Sequence, residues 1–329
     1  MATTITTIKK TDTMKKIQSK LNIGGQIKFE KATYKITKQL IIPESTYIDL
    51  NGSVLQRKGS IQSVFLNKCS KDSKSYKAAG NITIYNGTIE GMGGYEPDNL
   101  ITFFHSHDII IHHITFKDIL CHGIELNSST RVMIYNCKFL GFNLIDKEYS
   151  CKENIQIDHA GYTGFVVSGS SKKSACYDGT CCNDIEIFNC EFNKSAYRDY
   201  PYACIGQHSQ LSGAIFKHRN IKIYNNKFYC KKNPELIQAC LSFTSMENVT
   251  VCNNYFDCSR VARIYSKNYS YTTKGVKVDA KSGDGICSNI VIKDNQISGC
   301  KTSKEAFQQY NKSGEQNHSY IVKSGNKYV

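Results

Sequence analysis

The sequence predicts an all-β fold, a parallel β-helix, and three observations carry that prediction. A phrase of Asn or Asp, alternating β-branched residues, a second Asn and an aromatic residue recurs along the chain. Two copies begin at Asp108 and Arg131, about two dozen residues apart. Apolar residues alternate inside each copy with the period of a strand, as Ile109 and Ile111 do. A further apolar run follows the copies, so the repeating unit is predicted to stack on itself with three strands per coil.

The repeated phrase also predicts where the chain bends. Its copies span residues 81–89, 108–116, 131–139, 184–192, 220–228, 248–256 and 288–297. The third runs span residues 100–104, 123–127, 154–158, 203–208, 239–244 and 262–266. Inside most copies an Asn or His separates two short strands, at a bend that needs the left-handed conformation that Asn tolerates. Amide side chains stacked at these bends are expected to hydrogen-bond along the axis.

The two ends of the chain are predicted to cover the stack. Asp12 precedes a run with the apolar spacing of an amphipathic helix, so residues 11–21 are expected to form an N-terminal capping helix. Coils are predicted over residues 50–300 and a C-terminal cap or tail over 301–329, within a single domain of residues 1–329. The N-terminus shows no apolar core of a signal peptide, and no run is long enough to span a membrane.

The charge balance points to a polyanionic partner. Lys and Arg number 42 against 28 Asp and Glu, which gives a net charge of +14. An acidic polysaccharide, a teichoic acid or a nucleic acid would be attracted, and the bland alternative is that the lysines only solvate the outer turns. The lysines are spread evenly and no signature of a nucleic-acid-binding fold is present, so a nucleic acid is not expected as a partner.

The fifteen cysteines leave the redox compartment open. Cys137 and Cys190 occupy the same slot of the repeat, which predicts that they stack inside the coils as small apolar residues. Cys176, Cys181 and Cys182 lie together in a polar segment, where disulfides or plain thiols are favoured over a zinc knuckle because no second Cys/His pair has ligand spacing. No metal site is predicted, and the disulfide state stays open.

Several phrases resemble a known superfamily over nearly the whole chain. A capping helix, a Gly-Gly-x-Ile-x-Phe turn and an Ala-Thr-Tyr-x-Ile strand ahead of coils are similar to the pectin-lyase-like right-handed parallel β-helix proteins. Other phrases are similar to secreted and prophage-encoded polysaccharide-degrading β-helix proteins of Gram-positive bacteria: residues 122–127, 153–158, 177–180, 205–208 and 217–221. The resemblance implies a right-handed coil, action on a polysaccharide and a secreted or virion-associated location. Fold alone does not establish function.

Strand alternation predicts which side chains of the third strands face outward. Glu125, Gln156, Asp158, His208 and Arg263 are predicted to share one concave strip. Glu125 and Asp158 would differ by one rung and one alternation, about 8 Å at the backbone, which suits the acid/base pair of an inverting glycosidase. His208 would lie beside Asp158 and assist catalysis, while Gln156 and Arg263 would bind substrate. The alternative is a solvated polar ladder without catalytic role.

Further substrate contacts are predicted around this strip. His105 and His122 are expected near it, and His218 and Tyr177 belong to the phrases that carry the resemblance. The Gly- and Ser-rich stretch of residues 161–182 follows Asp158 directly and is predicted to form a wall of the substrate groove.

Three functions fit this strip. The favoured one is a glycoside hydrolase that acts on an acidic cell-surface or extracellular glycan and needs no cofactor. A polysaccharide lyase or uronate epimerase is the first alternative, in which Arg263 or a divalent cation such as calcium neutralises the substrate carboxylate. A non-catalytic glycan-binding or virion adhesion module is the second. In each case the partner is a polysaccharide rather than a membrane, and the protein is expected to be a monomer or a homotrimer.

Overall fold

The computed structural model describes most of the chain. The described residues are 4–91, 99–142, 153–162, 165–201, 203–207, 217–230, 239–266, 271–273, 276–278, 286–311 and 319–329. In this part of the chain the helices are α1 (Met14–Leu21) and α2 (Ser303–Ala306). Neither has the length and apolar character that a membrane-spanning helix needs.

The strands follow one another around the coils. From the N-terminus they are β1 (Ile5–Ile8), β2 (Gly25–Phe29), β3 (Thr33–Ile36), β4 (Leu40–Ile42), β5 (Thr46–Arg57), β6 (Ser63–Asn67), β7 (Ile82–Glu90), β8 (Asn99–Phe104), β9 (His107–Ile119), β10 (Ile124–Asn127), β11 (Thr130–Tyr135), β12 (Lys138–Phe142), β13 (Glu153–Asp158), β14 (Asn183–Phe188) and β15 (Glu191–Asn193). They continue as β16 (Ala203–Gly206), β17 (His218–Tyr224), β18 (Lys227–Cys230), β19 (Leu241–Phe243), β20 (Met246–Cys252), β21 (Tyr255–Cys258), β22 (Ala262–Ser266), β23 (Tyr271–Thr273), β24 (Val276–Val278), β25 (Ser288–Lys293), β26 (Gln296–Ser298), β27 (Phe307–Asn311), β28 (Ser319–Ser324) and β29 (Lys327–Tyr328).

Parallel pairing between successive coils builds two long sheets. The first has 18 strands and bends along its length, because β5, β7 and β9 each run through the bend that separates shorter strands in later coils. The second has nine strands in the order β27-β22-β19-β16-β13-β10-β8-β6-β4. Each coil therefore contributes three strand segments, and the predicted parallel β-helix is confirmed. A short antiparallel pair, β23 and β24, stands apart from both sheets.

Identical side chains stack inside the coils. A ladder of buried phenylalanines has neighbouring ring centroids 4.6–4.8 Å apart, and its members are Phe116, Phe139, Phe192, Phe228 and Phe256. This spacing equals the distance between neighbouring strands, so the rungs are in register. Cys137 and Cys190 also lie in the interior as predicted, and their thiols contact each other.

The bends carry the asparagine ladders that the repeat predicts. At the bend inside each copy of the repeat the backbone is left-handed, at Asn86, His113, Asn136, Asn189, Asn225, Asn253 and Asp294. Behind them a second ladder runs through the buried Asn226, Asn254 and Asn295 to the half-buried Asn326. Each amide nitrogen of this ladder donates to the amide oxygen of the next coil at 2.9–3.0 Å, which satisfies polar groups along the axis of the core.

The ends of the stack differ from the prediction. The helix begins at Met14 instead of residue 11, because Thr13 is its N-cap and accepts a hydrogen bond from Lys16 N at 3.3 Å. Asp12 accepts from Lys9 N instead. The coils are also longer than residues 50–300, since β2 already pairs with β5, and β28 and β29 continue the first sheet to the end of the chain. The predicted C-terminal cap over residues 301–329 is thus largely a further coil.

Candidate functional site

The register of the second sheet agrees with the predicted placement of the strip. Glu125 pairs with Gln156, which pairs with Gly206, and that row continues through Ser242 to Arg263. Asp158 lies in the adjacent row, opposite Asn127. Alternation along each strand therefore places the two carboxylates on one outward face, as the sequence predicts, and on adjacent rungs.

This face is covered, contrary to the prediction of an open strip. Glu125 is 4% exposed, Gln156 is 2% exposed and Asp158 is fully buried. The Glu125 carboxylate accepts hydrogen bonds from the Asn99 amide and, at 3.4 Å, from the Thr102 hydroxyl. Polar side chains therefore satisfy the carboxylates where solvent was expected, as the interior of a protein requires.

Asp158 contacts the side chain of the residue that follows it, His159. Its Oδ1 accepts from His159 N at 2.8 Å and lies 2.9 Å from His159 Nδ1, close enough for an ion pair when the imidazole is protonated. Its Oδ2 accepts from the Gln156 amide at 3.0 Å. The predicted partner of Asp158, His208, lies outside the described residues. His159 is a contact that sequence reasoning missed, although it directly follows Asp158.

Arg263 shares the row but not the immediate neighbourhood. It lies three rungs from Gln156, about 14 Å at the usual rung spacing. Its guanidinium stacks over the ring of Tyr265 at 4.3 Å. Gly206 lies between Gln156 and Arg263 in this row and has no room for a side chain, because a Cβ would lie 2.4 Å from the carbonyl oxygen of Ser242. Arg263 would therefore contact a bound polymer at a different sugar unit from the carboxylates.

The stretch predicted as a groove wall packs down onto this sheet. Phe165, Val167 and Cys176 form a second apolar cluster with Phe104, which faces outward from β8. Tyr177, predicted to bind substrate, belongs to this packing: its hydroxyl accepts from Val167 N at 2.9 Å. The described residues of the stretch thus cover the outward face next to Asp158.

His105 lies beneath the same cover. It is fully buried, and its two ring nitrogens contact the carbonyl oxygens of Ser75 and Cys176, the latter at 2.7 Å. Asp178 lies 4.0 Å from its Nε2. His105 therefore joins two surface segments to the coil, and the expectation that it lies open to substrate is wrong.

His122 lies two residues before the start of β10. Its Nδ1 lies 2.8 Å from the carbonyl oxygen of Glu153. The Glu153 carboxylate lies 4.0 Å from the same nitrogen, and both side chains are buried. Glu153 is a further candidate that sequence reasoning missed, even though it opens a phrase on which the resemblance rests.

His218 is held inside the coil by a hydrogen bond from the backbone. Its Nδ1 accepts from Cys182 N at 3.1 Å, so the ring proton of the neutral imidazole is on Nε2, and this nitrogen lies 2.9 Å from the side-chain nitrogen of Gln207. Burial lowers the pKa of His218 to about 3 and keeps the ring neutral. A fully buried, neutral imidazole between two protein partners is placed to hold the coil together and is not exposed to substrate.

His218 should make the fold sensitive to acid. Because its pKa is depressed in the folded state, between the ordinary value of 6.5 and about 3 the unfolded chain binds a proton that the folded chain rejects. As the pH is lowered through this range, the free energy of unfolding should fall with a slope approaching about 1.4 kcal/mol per pH unit. In His218→Asn the amide oxygen can still accept from Cys182 N but does not titrate. Denaturant midpoints measured against pH should therefore fall less steeply for the variant, and equal slopes would contradict this role.

An open groove lies on the outer face of the first sheet. It has a volume of about 670 Å³, and its charged lining residues are Asp108, Arg131, Asp184, Glu186 and Lys222. The Arg131 guanidinium donates to both oxygens of Asp108, at 2.6 and 2.7 Å, and holds the pKa of that carboxyl below its usual range. Lys222 donates to Glu186 at 2.9 Å and lowers the pKa of that carboxyl. Charges paired in this way suit binding better than proton transfer.

The comparisons with known proteins concern the fold. Neither protein-family models nor curated protein sequences match the chain. Among solved structures, the chain is similar to the surface adhesin PfbA of Streptococcus pneumoniae, with a TM-score of 0.67 and 19% identity over 95% of this chain and 93% of that one. It is also similar to an alginate lyase from Paenibacillus, with a TM-score of 0.63 and 12% identity over 99% and 95% of the two chains.

A third similar structure is the family 28 exopolygalacturonase of Yersinia enterocolitica. Its TM-score is 0.64 at 12% identity, over 99% of this chain and 65% of that one. At such identities the likeness is one of fold. The chain is therefore a right-handed parallel β-helix, the fold that these structures share.

Proposed function

We propose that the protein degrades a polysaccharide as a glycoside hydrolase, with Glu125 and Asp158 as its pair of carboxylic groups. The observation that carries the proposal is the register, which places the two side chains on adjacent rungs of one outward face. One rung and one alternation correspond to about 8 Å between the Cα atoms. Side chains that extend side by side from one face keep about this separation, and the carboxyl groups of inverting glycosidases lie roughly 6.5–9.5 Å apart.

The hydrogen bonds divide the roles. Both oxygens of Asp158 accept hydrogen bonds, from His159 N and the Gln156 amide, which suits an ionised carboxylate that activates water. Glu125 is then the general acid that protonates the glycosidic oxygen of the leaving group. Burial of a carboxyl group is the means by which glycosidases tune their general acid. The substrate and the attacking water must displace the side chains that cover this face.

Similar structures include a hydrolase, a lyase and an adhesin, all named for surfaces or polysaccharides outside the cytoplasm. The two enzymes support a glycan as the partner, and the surface adhesin supports a secreted location for this protein. The net charge of +14 further supports an acidic glycan.

A second candidate function, glycan binding without catalysis, rests on the open groove of the first sheet. Its paired ions, Asp108 with Arg131 and Glu186 with Lys222, offer hydrogen-bonding groups on a surface that reaches over several coils. A polymer lying along the axis would pass one charged pair after another.

One experiment separates these functions. The protein is incubated with a panel of acidic and neutral glycans while reducing ends, ultraviolet absorbance of unsaturated uronates and binding are followed together. Hydrolysis should release reducing ends without the absorbance. A rise in absorbance would assign a lyase and overturn the proposal, and binding without either signal would assign the adhesin. Arg131→Ala serves as a matched variant, because it should weaken binding only if the groove of the first sheet holds the glycan.

A further inference from the structure

A cluster of cysteines lies in the interior of the coils at one corner. Cys204 lies in β16, Cys230 ends β18, Cys240 directly precedes β19 and Cys258 ends β21. All four are buried. The sulfur atoms of Cys204, Cys230 and Cys240 lie within 4.8 Å of one another, and the Cys258 thiol contacts that of Cys240.

The coil brings these thiols together although they are far apart in sequence. Cys230 and Cys258 are partners in the register of the first sheet. Cys204 N donates to Cys240 O at 2.9 Å in the second sheet. Two adjacent coils therefore supply two cysteines each, and the two pairs face the same interior corner from different sheets.

The pair Cys137 and Cys190 shows what plain packing of thiols looks like in this fold. Those two are equally buried, and their sulfurs lie 3.4 and 3.3 Å from the carbonyl oxygens of Tyr135 and Phe188, each two residues earlier in the chain. Only two sulfurs meet there. The corner cluster differs because three sulfurs converge there, all within 4.8 Å of one another. In a tetrahedral thiolate site the sulfurs lie about 3.8 Å apart, so each distance needs to shorten by no more than about 1 Å.

We propose that Cys204, Cys230 and Cys240, with Cys258 as the fourth ligand, bind one zinc ion that ties two adjacent coils together. Thiolates select zinc and other soft d¹⁰ cations, and four-coordinate Cys₄ sites are typical structural zinc sites. Binding replaces the thiol protons, which pass to solvent, by four sulfur–zinc bonds. Because binding releases these protons, zinc binding should strengthen as pH rises.

The first test is the metal content of the intact chain. The protein is produced with added zinc, purified under reducing conditions and analysed for metals, and it should contain about one zinc per chain. After unfolding and refolding with Co²⁺ it should show sulfur-to-cobalt charge-transfer bands and the visible bands of tetrahedral cobalt. Refolding without metal should lower the melting temperature.

Two variants separate a metal site from packing. Cys240→Ser should lose the cobalt thiolate bands. Cys137→Ala/Cys190→Ala removes the same kind of buried thiol elsewhere and should keep both the zinc and the bands. If Cys240→Ser fails to fold, the wild-type chain and the double variant still decide. Absence of stoichiometric zinc together with absence of cobalt bands would overturn the proposal, as would a disulfide among these cysteines in freshly purified, unreduced protein.

Discussion

Replacing Asp158 by Asn should reduce turnover by about 10²–10⁴-fold, the contribution typical of a positioned general acid or base. The substrate for this measurement is the glycan that the wild-type protein hydrolyses in the panel. The amide is nearly isosteric but cannot accept a proton from water. Because the loss concerns the chemical step, kcat should fall while KM changes little. Initial rates from reducing-end release over a range of glycan concentrations measure both parameters.

Asp158→Asn also disturbs structure, so a second variant is needed. The new amide can keep its oxygen toward His159 N but then turns its nitrogen toward the Gln156 amide, placing two donors together. In the double variant Gln156→Glu/Asp158→Asn the amide at position 158 donates to a carboxylate at position 156. This restores the hydrogen bond between the two side chains but moves the carboxylate away from position 158. If Asp158 is catalytic, the double variant should regain the melting temperature but not the activity. Wild-type activity in either variant would remove Asp158 from the mechanism.

Replacing Phe192 by Ala should lower the free energy of unfolding by about 3–5 kcal/mol. The ring is fully buried and stacks between Phe139 and Phe228, with centroids 4.7 and 4.8 Å away. Its removal leaves a cavity that the rungs cannot close, because backbone hydrogen bonds hold neighbouring strands at a fixed spacing. Denaturant titration followed by circular dichroism measures the change.

Phe188→Ala is the matched control in the same coil. Phe188 stacks between Tyr135 and Tyr224 at 5.0 and 4.9 Å, but it lies on the outer surface and is only half-buried. Its loss removes stacking without opening a closed cavity, so about 1 kcal/mol is expected. Equal losses for the two variants would contradict the inward placement of the phenylalanine ladder.

Strand alternation made the position of the candidate site predictable. The direction of a side chain depends on the local backbone, so the pattern around Glu125 and Gln156 was sufficient to place both in one row with Arg263. Stacked bends with left-handed asparagines follow in the same way from residue type, because Asn tolerates this conformation.

The environment of the site was not predictable in this way. Alternation says that Asp158 leaves the coil interior, but it contains no information about what packs above it. Sequence position likewise gave no sign that the His159 side chain would contact the Asp158 carboxylate, or that His122 would contact Glu153. These contacts depend on how strand ends turn, which periodicity does not describe.

By itself the sequence determined the coil, its three strand segments, its ladders and the face that each side chain of the second sheet occupies. Only the tertiary structure decided that this face is covered and that three distant cysteines meet at one corner. The cover depends on contacts such as Gln62 with Val166 and Ser75 with Asp178, which join segments 104 and 103 residues apart. Periodic patterns encode local backbone geometry, whereas such contacts arise only when coils and loops pack together.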